Sequence, residues 1–388
     1  MPIVNRFADF HADIVAWRHD LHEHPELLYD VHRTAATVAE KLRSFGVDEV
    51  TTAIGRTGVV GVIRGRKADS GKVIGLRADM DALPIAEKTG KPYASTVPGM
   101  MHACGHDGHT AMLLGAARYL AETRNFDGTA IVIFQPAEEG GGGGKAMIED
   151  GLMARWKIDE VYGMHNLPGL AVGRFAMRPG AIMASTDEFT ITVTGRDGHA
   201  ARPHLTVDPI IVGAAIVNAL QTIVSRNVDP LAAAVVSVTR FHAGTAYNVI
   251  PETAEVAGTV RCLSGEVRDL AETRIREIIA GLASAHGASV SLFYDRNYPI
   301  TVNDPAALDF AAGIATQVAG APNVATDAPP LLAGEDFSYM LEQRPGAFVF
   351  IGNGDSAGLH SAGYDFNDEI IPIGCSYWAR LVETAMPA

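Results

Sequence analysis

The spacing of apolar positions changes character twice along the chain. Apolar residues recur at helical spacing from about Phe7 to Leu21 and again in RTAATVAEKLRSFG, where Gly46 predicts a helix end. Short β-branched runs follow in TGVVGVIRG and KVIGLRADMDALP, then an amphipathic helix in GHTAMLLGAARYLAETRN with Asp107 near its start, and a buried strand in TAIVIFQPAEEGGGGG. This alternation predicts an α/β fold with a mostly parallel sheet.

From about Ala184 the pattern becomes strictly alternating. Three runs, TDEFTITVTGRDGHAARPH, AAAVVSVTRFHAG and AEVAGTVRCL, predict strands of an α+β insert that also carries helices at 208–225 and 265–285. After SVSLFYDRNYPI the alternation of helix and strand patterns returns, with a helix near 305–318, a strand AFVFIG and a last helix from about Ile373. We therefore predict a discontinuous domain of residues 1–183 and 297–388, interrupted by a satellite domain of residues 184–296.

Size and charge narrow the classes of protein. The chain has 388 residues, 47% of them hydrophobic, which is enough for two cores. A net charge of −14, without clustered Lys and Arg, argues against a nucleic-acid partner. No run approaches the ~18 apolar residues of a membrane span or forms a signal peptide. The three cysteines are widely separated and suggest no disulfide framework, so we expect a cytoplasmic protein without a membrane partner.

Candidate metal ligands occur beside predicted strand ends and helix starts, where open parallel sheets bind ligands. Thiolate, imidazole and carboxylate together suit Zn, Mn, Co or Ni. Five ligands exceed the three of one catalytic zinc, so two divalent ions that share a bridging ligand are the more natural interpretation. The candidate ligands are Cys104, His106, Glu139, His165 and His360.

The adjacent glutamates suggest a division of roles, because consecutive residues that leave a strand point in different directions. We assign Glu139 to the metal and Glu138 to a general base that takes a proton from water and returns it to a leaving amine. His102 and His109 are expected not to be ligands. The histidines of the first helical region are expected at the surface: His11, His19, His22, His24 and His32.

The motifs resemble a family of metallo-amidohydrolases that includes hippurate hydrolases, N-acyl-amino-acid deacetylases and auxin-conjugate hydrolases, with aminoacylases and glutamate carboxypeptidases as relatives. The resemblance spans nearly the whole chain. It rests on RHDLHEHPEL, GLRADMDALPI, MHACGHDGHTAMLLGAA, FQPAEEG, GMHN, GRDGHAARPH, YNVIPE, AGEDFSYM and LHSAGYDFND, in that order. It implies a metallopeptidase-like catalytic domain that holds two metals, and an inserted satellite (lid) domain that commonly mediates dimerisation.

The same resemblance implies roles for individual residues. The five candidate ligands match its metal ligands, with Cys104 at the bridging position, and Glu138 matches its general base. Asp81 matches an acidic residue that orients or tunes the site, and His199 matches a histidine that stabilises the oxyanion. Two residues of the satellite domain match groups that bind the substrate carboxylate: Asn248 and Arg261.

One position departs from the wider relatives, which carry His-x-Asp where this chain has Asp79-Met80-Asp81. This departure is typical of the branch with the Cys-Gly-His-Asp motif, in which His106 resembles the replacement ligand. The role of Asp79 stays open, and a structural role is as plausible as a functional one.

The expected function is hydrolysis of the amide bond in N-acyl or N-aroyl amino acids, to a carboxylic acid and a free amino acid. The expected partners are this small-molecule substrate and a second copy of the chain, as a homodimer or dimer-based oligomer. A dipeptidase or aminopeptidase-like enzyme with the same site is the alternative, followed by a non-catalytic binding protein on the same fold.

Overall fold

The structure is a computed structural model that describes residues 4–388. Its helices are α1 (Arg6–Glu23), α2 (His32–Ser44), α3 (His106–Thr123), α4 (Gly143–Glu149), α5 (Leu152–Arg155), α6 (Pro209–Thr222), α7 (Gly265–His286), α8 (Pro305–Ala319), α9 (Ser338–Gln343) and α10 (Ile371–Ala385). Its strands are β1 (Glu49–Ile54), β2 (Gly58–Arg64), β3 (Val73–Asp79), β4 (Thr129–Gln135), β5 (Glu160–Pro168), β6 (Phe175–Ala176), β7 (Gly180–Met183), β8 (Asp187–Thr194), β9 (Gly198–His199), β10 (Ala234–Ala243), β11 (Val249–Ile250), β12 (Thr253–Cys262), β13 (Ser289–Arg296), β14 (Thr301–Asn303), β15 (Val324–Ala325) and β16 (Gly346–Gly354).

The chain divides into two compact units. The first comprises Met1–Ile182, Val302–Pro329 and Asp336–Ala388, and the second comprises Met183–Thr301 and Pro330–Glu335. The short return segment Pro330–Glu335 belongs to the second unit, although no pattern in the sequence indicates this.

An eight-stranded sheet forms the centre of the first unit, in the order β1-β2-β4-β3-β5-β16-β6-β15. The central strands β4, β3, β5 and β16 are parallel, while β1 and β2 extend one side as antiparallel strands. The central strands are buried over most of their length, as expected for β-branched runs that are covered on both faces. The prediction of an α/β fold with a mostly parallel sheet is confirmed.

The helices of the first unit bury apolar faces around this sheet. α3 contacts α1 and α10, and α8 packs on α10 and β16. The core they share includes Phe7, Ile14, Leu114, Phe175 and Trp378, each almost completely buried. This core is large and lies below the carboxyl edge of the sheet, so the loops at that edge rest on a rigid base.

The second unit contains a four-stranded antiparallel sheet in the order β10-β12-β8-β13. α6 and α7 pack on one face of this sheet through a separate core that includes Ile191, Ile216, Val256 and Ile275. The predicted helices at 208–225 and 265–285 correspond to α6 and α7. α6 continues through a π-helical turn, Ile223–Asn227.

Candidate metal centre

Four parallel strands bring the candidate ligands to one edge of the main sheet. Because β4, β3, β5 and β16 are parallel, their carboxyl ends lie at the same edge. Glu138 and Glu139 follow β4, His165 lies in the second half of β5, and His360 follows β16. Asp79 is the last residue of β3. The strand order therefore explains how residues far apart in sequence become neighbours.

Cys104 and His106 lie on either side of a tight turn that begins α3. Gly105 between them has φ +94°, and a Cβ atom there would lie 2.3 Å from the Asn166 side-chain nitrogen and 2.5 Å from the Tyr364 hydroxyl. Asn166 Nδ2 donates to the Cys104 carbonyl at 2.6 Å, and the Tyr364 hydroxyl donates to Asn166 Oδ1 at 2.7 Å. Only glycine allows this close approach, which fixes the direction of both candidate ligands.

The five predicted ligands converge. Cys104 Sγ lies 3.3 Å from His165 Nε2, and His360 Nε2 lies 3.3 Å from Glu139 Oε1. His106 Nε2 lies 4.0 Å from the same Glu139 oxygen. Five groups of side chains have ligand atoms within 4.8 Å of one another, and three of them consist only of the predicted ligands and Glu138: Cys104, His106 and His165; Cys104, Glu139 and His360; His106, Glu138 and Glu139. Cys104, His106 and Glu139 each belong to two of these three groups, which suits two ions that share ligands.

Hydrogen bonds orient two of the imidazoles towards the centre. His106 Nδ1 donates to the Asp81 carbonyl at 2.8 Å, and His165 Nδ1 donates to the Asn166 carbonyl at 2.6 Å. Because a carbonyl oxygen only accepts, these contacts place the proton of the neutral imidazole on Nδ1 and leave Nε2 as the nitrogen that can bind a metal. Among residues 4–388, the buried His106 Nε2 has no hydrogen-bond partner. A buried lone pair of this kind fits a metal ligand.

The charge balance of the centre also fits a cation. Burial alone would lower the pKa of His106, but the carboxylates of Asp79, Asp81 and Glu139 raise it to about 10. Burial, together with nearby carboxylates, raises the pKa of the Cys104 thiol well above its usual value. Carboxylates contribute to both shifts, although burial is the larger cause for Cys104, and divalent cations would neutralise this negative charge.

Asp81 holds the backbone of the glutamate pair. Its carboxylate accepts the N–H of Glu138 through Oδ1 at 2.9 Å and the N–H of Glu139 through Oδ2 at 3.0 Å. Ala137, immediately before the pair, has φ +54°, a left-handed conformation that is strained for alanine. The two glutamates therefore leave the strand on a backbone that is fixed by a buried carboxylate.

Asp79 makes two contacts that bear on its open role. It accepts hydrogen bonds from Arg77 Nη1 and from His109 Nδ1, both at 2.7 Å. His109 Nε2 in turn accepts the N–H of Asn166 at 3.0 Å. Asp79, Arg77 and His109 thus support the residues around Cys104. Nothing local in the sequence indicates the contacts of His109, because it lies 30 positions from Asp79 and 57 from Asn166.

The expectation that the histidines of the first helix lie at the surface is wrong for His22. Its imidazole is completely buried, 2.8 Å from Asp107 and 3.4 Å from Glu87. Arg18, one turn earlier, is equally buried and pairs with Asp107 at 2.8 Å. Spacing of four residues on a helix face that also buries Phe10 and Ile14 is the signal that could have found them.

The second unit carries the remaining predicted residues. His199 in β9 pairs with Val249 of β11, and Ala200 N–H donates to the Asn248 carbonyl at 3.0 Å, so His199 and Asn248 are neighbours. The strand β12 begins at Thr253, shortly after Asn248 in the sequence, and Arg261 lies near its far end. Arg261 lies eight positions after Thr253, or ~26 Å along the strand. The unit does not bring Arg261 together with His199 and Asn248.

Arg261 lines a groove on the sheet face of the second unit with Glu188, Thr259 and Phe293. Burial lowers the pKa of its guanidinium, an effect that the nearby acidic residues oppose. Within the part of the chain that the structure describes, this guanidinium has no hydrogen-bond or ion-pair partner. A half-buried cation of this kind is suited to bind an anion.

Thiol, imidazole and carboxylate groups at the carboxyl edge of an α/β sheet, most of them buried and His360 exposed, define a candidate dinuclear metal centre of the hydrolase type. The comparison of the sequence with family models agrees with this class: residues 75–384 match the model of peptidase family M20/M25/M40, and the chain belongs to that family.

Characterised relatives cover nearly the whole chain. Hippurate hydrolase of Campylobacter jejuni is 45% identical over 98% of both chains, and N-acetylcysteine deacetylase of Bacillus subtilis is 39% identical over 96% of both. Among solved structures, a dinuclear metal-binding peptidase of the M20 family from Bacillus subtilis superposes with a TM-score of 0.86 at 35% identity, over 98% of this chain and 99% of that one.

Proposed function

We propose that this protein is a metal-dependent amidohydrolase that cleaves N-acyl or N-aroyl amino acids, such as hippurate-like or N-acetyl amino acids. The observation that carries the proposal is the convergence of five ligands beside Glu138, on a backbone held by Asp81. Hippurate hydrolase and N-acetylcysteine deacetylase, relatives along nearly the full chain, support the substrate class.

Two divalent ions, with Zn, Mn, Co and Ni as the candidates, would be held by Cys104, His106, Glu139, His165 and His360. Bound metal would supply Lewis acidity, which polarises the scissile carbonyl and makes water more acidic. Glu138 takes the proton of the attacking water and delivers it to the nitrogen of the leaving amino acid. Asp81 keeps Glu138 and Glu139 in their different directions through their backbone N–H groups.

The second unit would bind the substrate and stabilise the transition state. Arg261 pairs with the α-carboxylate of the substrate, and His199 donates a hydrogen bond to the developing oxyanion. Asn248, the neighbour of His199, contributes a further polar contact to the carboxylate. His199 pairs with β11, which precedes the start of β12, whereas Arg261 lies near the end of β12. We therefore infer that one copy of this unit does not offer both side chains to one small substrate.

We therefore infer a homodimer in which each site takes Arg261 from one copy and His199 with Asn248 from the other. α6 and the turn after it present exposed apolar residues, Ile210, Ile211 and Val224, and β10 is an unpaired edge strand. The helix Pro209–Asn227 is long and apolar enough to cross a membrane, although the apolar runs of the sequence predict no membrane span. Val212, Ile216 and Leu220 on its other face are buried in the core of the unit, so the exposed face suits a second copy.

Three buried free cysteines fit a reducing compartment such as the cytoplasm.

The test of the proposed function is a hydrolysis panel of N-acetyl, N-benzoyl and indole-acetyl amino acids and unblocked dipeptides, after loading with each candidate metal. We expect kcat/KM to be highest for one class of N-acyl amino acid. Preference for dipeptides with a free amine would favour the peptidase alternative, and no hydrolysis with any metal would contradict the proposal.

A further inference from the structure

The glycine-rich segment Glu138–Gly144, called the glycine loop below, is tightly packed at its C-terminal end. A Cβ atom at Gly143 would lie 1.7 Å from the Pro136 carbonyl oxygen, and one at Gly144 would lie 2.9 Å from the Asp336 carbonyl oxygen. Side chains at these positions would push the loop away from Pro136 and Asp336. Gly143 and Gly144 therefore allow close approach, whereas a Cβ atom at Gly140 would meet nothing within 4 Å.

Three side chains hold the glycine loop along its length. Asp81 accepts the N–H groups at its start, as described above. The Tyr29 hydroxyl donates to the Gly141 carbonyl at 2.7 Å. At the end of the loop, Asp336 Oδ2 accepts the N–H of Gly144 at 2.8 Å, in the first turn of α4. The loop is thus fixed at both ends and in the middle.

Asp336 is held by residues that are themselves buried. Its Oδ1 accepts from Arg77 Nη2 at 2.9 Å and from Gln135 Nε2 at 2.7 Å, while Gln135 Nε2 lies 2.9 Å from Oδ2. Gln135 is the last residue of β4. Asp336 therefore binds the chain before the glutamate pair, at Gln135, and after it, at Gly144. A carboxylate oxygen of Asp336 lies within 4.8 Å of one of Glu138.

We propose that Asp336, together with Tyr29, is a positioning residue for Glu138: it fixes the glycine loop so that the carboxylate of Glu138 points at the attacking water. The proposal rests on the proposed function, because it takes Glu138 as the general base. The negative charge of Asp336 matters as well as its shape. An asparagine would offer one acceptor oxygen and an NH2 group, which only donates, to a site whose three partners are all donors.

The first experiment compares Asp336→Asn with the wild type in metal-loaded enzyme on an N-acyl amino acid. We expect kcat to fall by roughly 10-fold to 100-fold, since small misplacement of a catalytic group costs up to about 10²-fold. KM, the content of bound metal by elemental analysis and the circular dichroism spectrum should stay close to those of the wild type. Tyr29→Phe, a milder change at the same loop, should lower kcat in the same direction.

A double-mutant cycle with Glu138→Gln tests whether Asp336 acts through Glu138. If it does, Asp336→Asn should cause no further loss of kcat in the Glu138→Gln background. Asp304→Ala is the matched control, because Asp304 also accepts a backbone N–H at a helix start, that of Ala307 in α8, away from the loop. It should lower Tm and leave kcat unchanged.

The outcomes separate the two proposals. If Glu138→Gln keeps the kcat of the wild type, the proposed function fails. If Glu138→Gln is impaired but Asp336→Asn is fully active, or adds its full loss to that of Glu138→Gln, the positioning role is overturned. If Asp336→Asn does not fold, Tyr29→Phe in the same cycle decides: a loss that disappears in the Glu138→Gln background supports the proposal, and an additive loss or none rejects it.

Discussion

His22 Nδ1 and Asp107 Oδ2 lie 2.8 Å apart in a completely buried pair, directly beside the turn that carries Cys104 and His106. Arg18 shares the Asp107 carboxylate, and Glu87 faces the other nitrogen of His22 at 3.4 Å. Buried opposite charges of this kind stabilise a fold only while both partners stay charged. The start of α3 is therefore anchored to α1 by groups that titrate.

This pair predicts a loss of stability at alkaline pH. Burial alone would lower the pKa of His22, but Asp107 and Glu87 raise it to about 9 from 6.5. A raised histidine pKa stabilises the fold fully below about pH 6.5, and this contribution, roughly 3 kcal/mol, disappears as the pH rises through about 9. The excess of the wild-type Tm over that of His22→Gln should shrink across this window. Parallel Tm curves for the two proteins would contradict the prediction.

Removal of metal should abolish activity and leave most of the fold. The candidate ligands lie on loops at one edge of the sheet, while the core of the first unit lies below them. A chelator should therefore reduce turnover to background with little change in far-UV circular dichroism, and re-addition of metal should restore activity. Full activity in a preparation shown by elemental analysis to be free of metal would overturn the mechanism.

Two neighbouring substitutions should separate metal binding from proton transfer. Cys104→Ala removes a ligand that belongs to two groups of converging ligand atoms, so it should lose metal together with activity. Glu138→Gln should keep its metal and lose about 10²- to 10⁴-fold in kcat, as expected for loss of a general base. Identical metal content and activity in the two variants would show that the division of roles is wrong.

Arg261→Ala should weaken binding of the substrate carboxylate. We expect KM for N-acyl amino acids to rise far more than KM for the corresponding amides, because only the free acid offers a carboxylate to the guanidinium. Arg240→Ala is the control, since Arg240 lines the same groove but already pairs with Glu255 at 3.0 Å. Equal increases in KM for acids and amides would exclude the assigned role of Arg261.

The sequence predicts the fold class and the ligand set for one physical reason. Parallel strands appear in the sequence as short buried runs, and polar residues near the carboxyl ends of several such strands meet at one edge of the sheet. Glu139, His165 and His360 lie at this edge. Supporting residues lack such a local signal. Asp336 is 259 positions from Arg77 and 201 from Gln135, and its role follows only from three-dimensional contacts. The prediction of an exposed His22 is wrong because a charged helix face usually faces water, whereas His22 on α1 contacts the buried Asp107.

The last prediction concerns His199 and the proposed homodimer, in which each active site takes His199 from the second copy. If His199 completes the site of a second copy, Glu138→Ala and His199→Ala are each inactive, yet they should complement each other after subunit exchange. A mixed dimer then contains one site with both defects and one intact site, because an isologous contact repeats each interaction.

Random reassortment of equal amounts should restore roughly a quarter of the wild-type sites. Exchange is verified with two differently tagged preparations, and each variant mixed with itself serves as the control. If His199 acts within its own copy, every site keeps a defect and no activity returns. Proven exchange without recovery would therefore reject the shared site, and His199 would then serve its own copy or only pair β9 with β11.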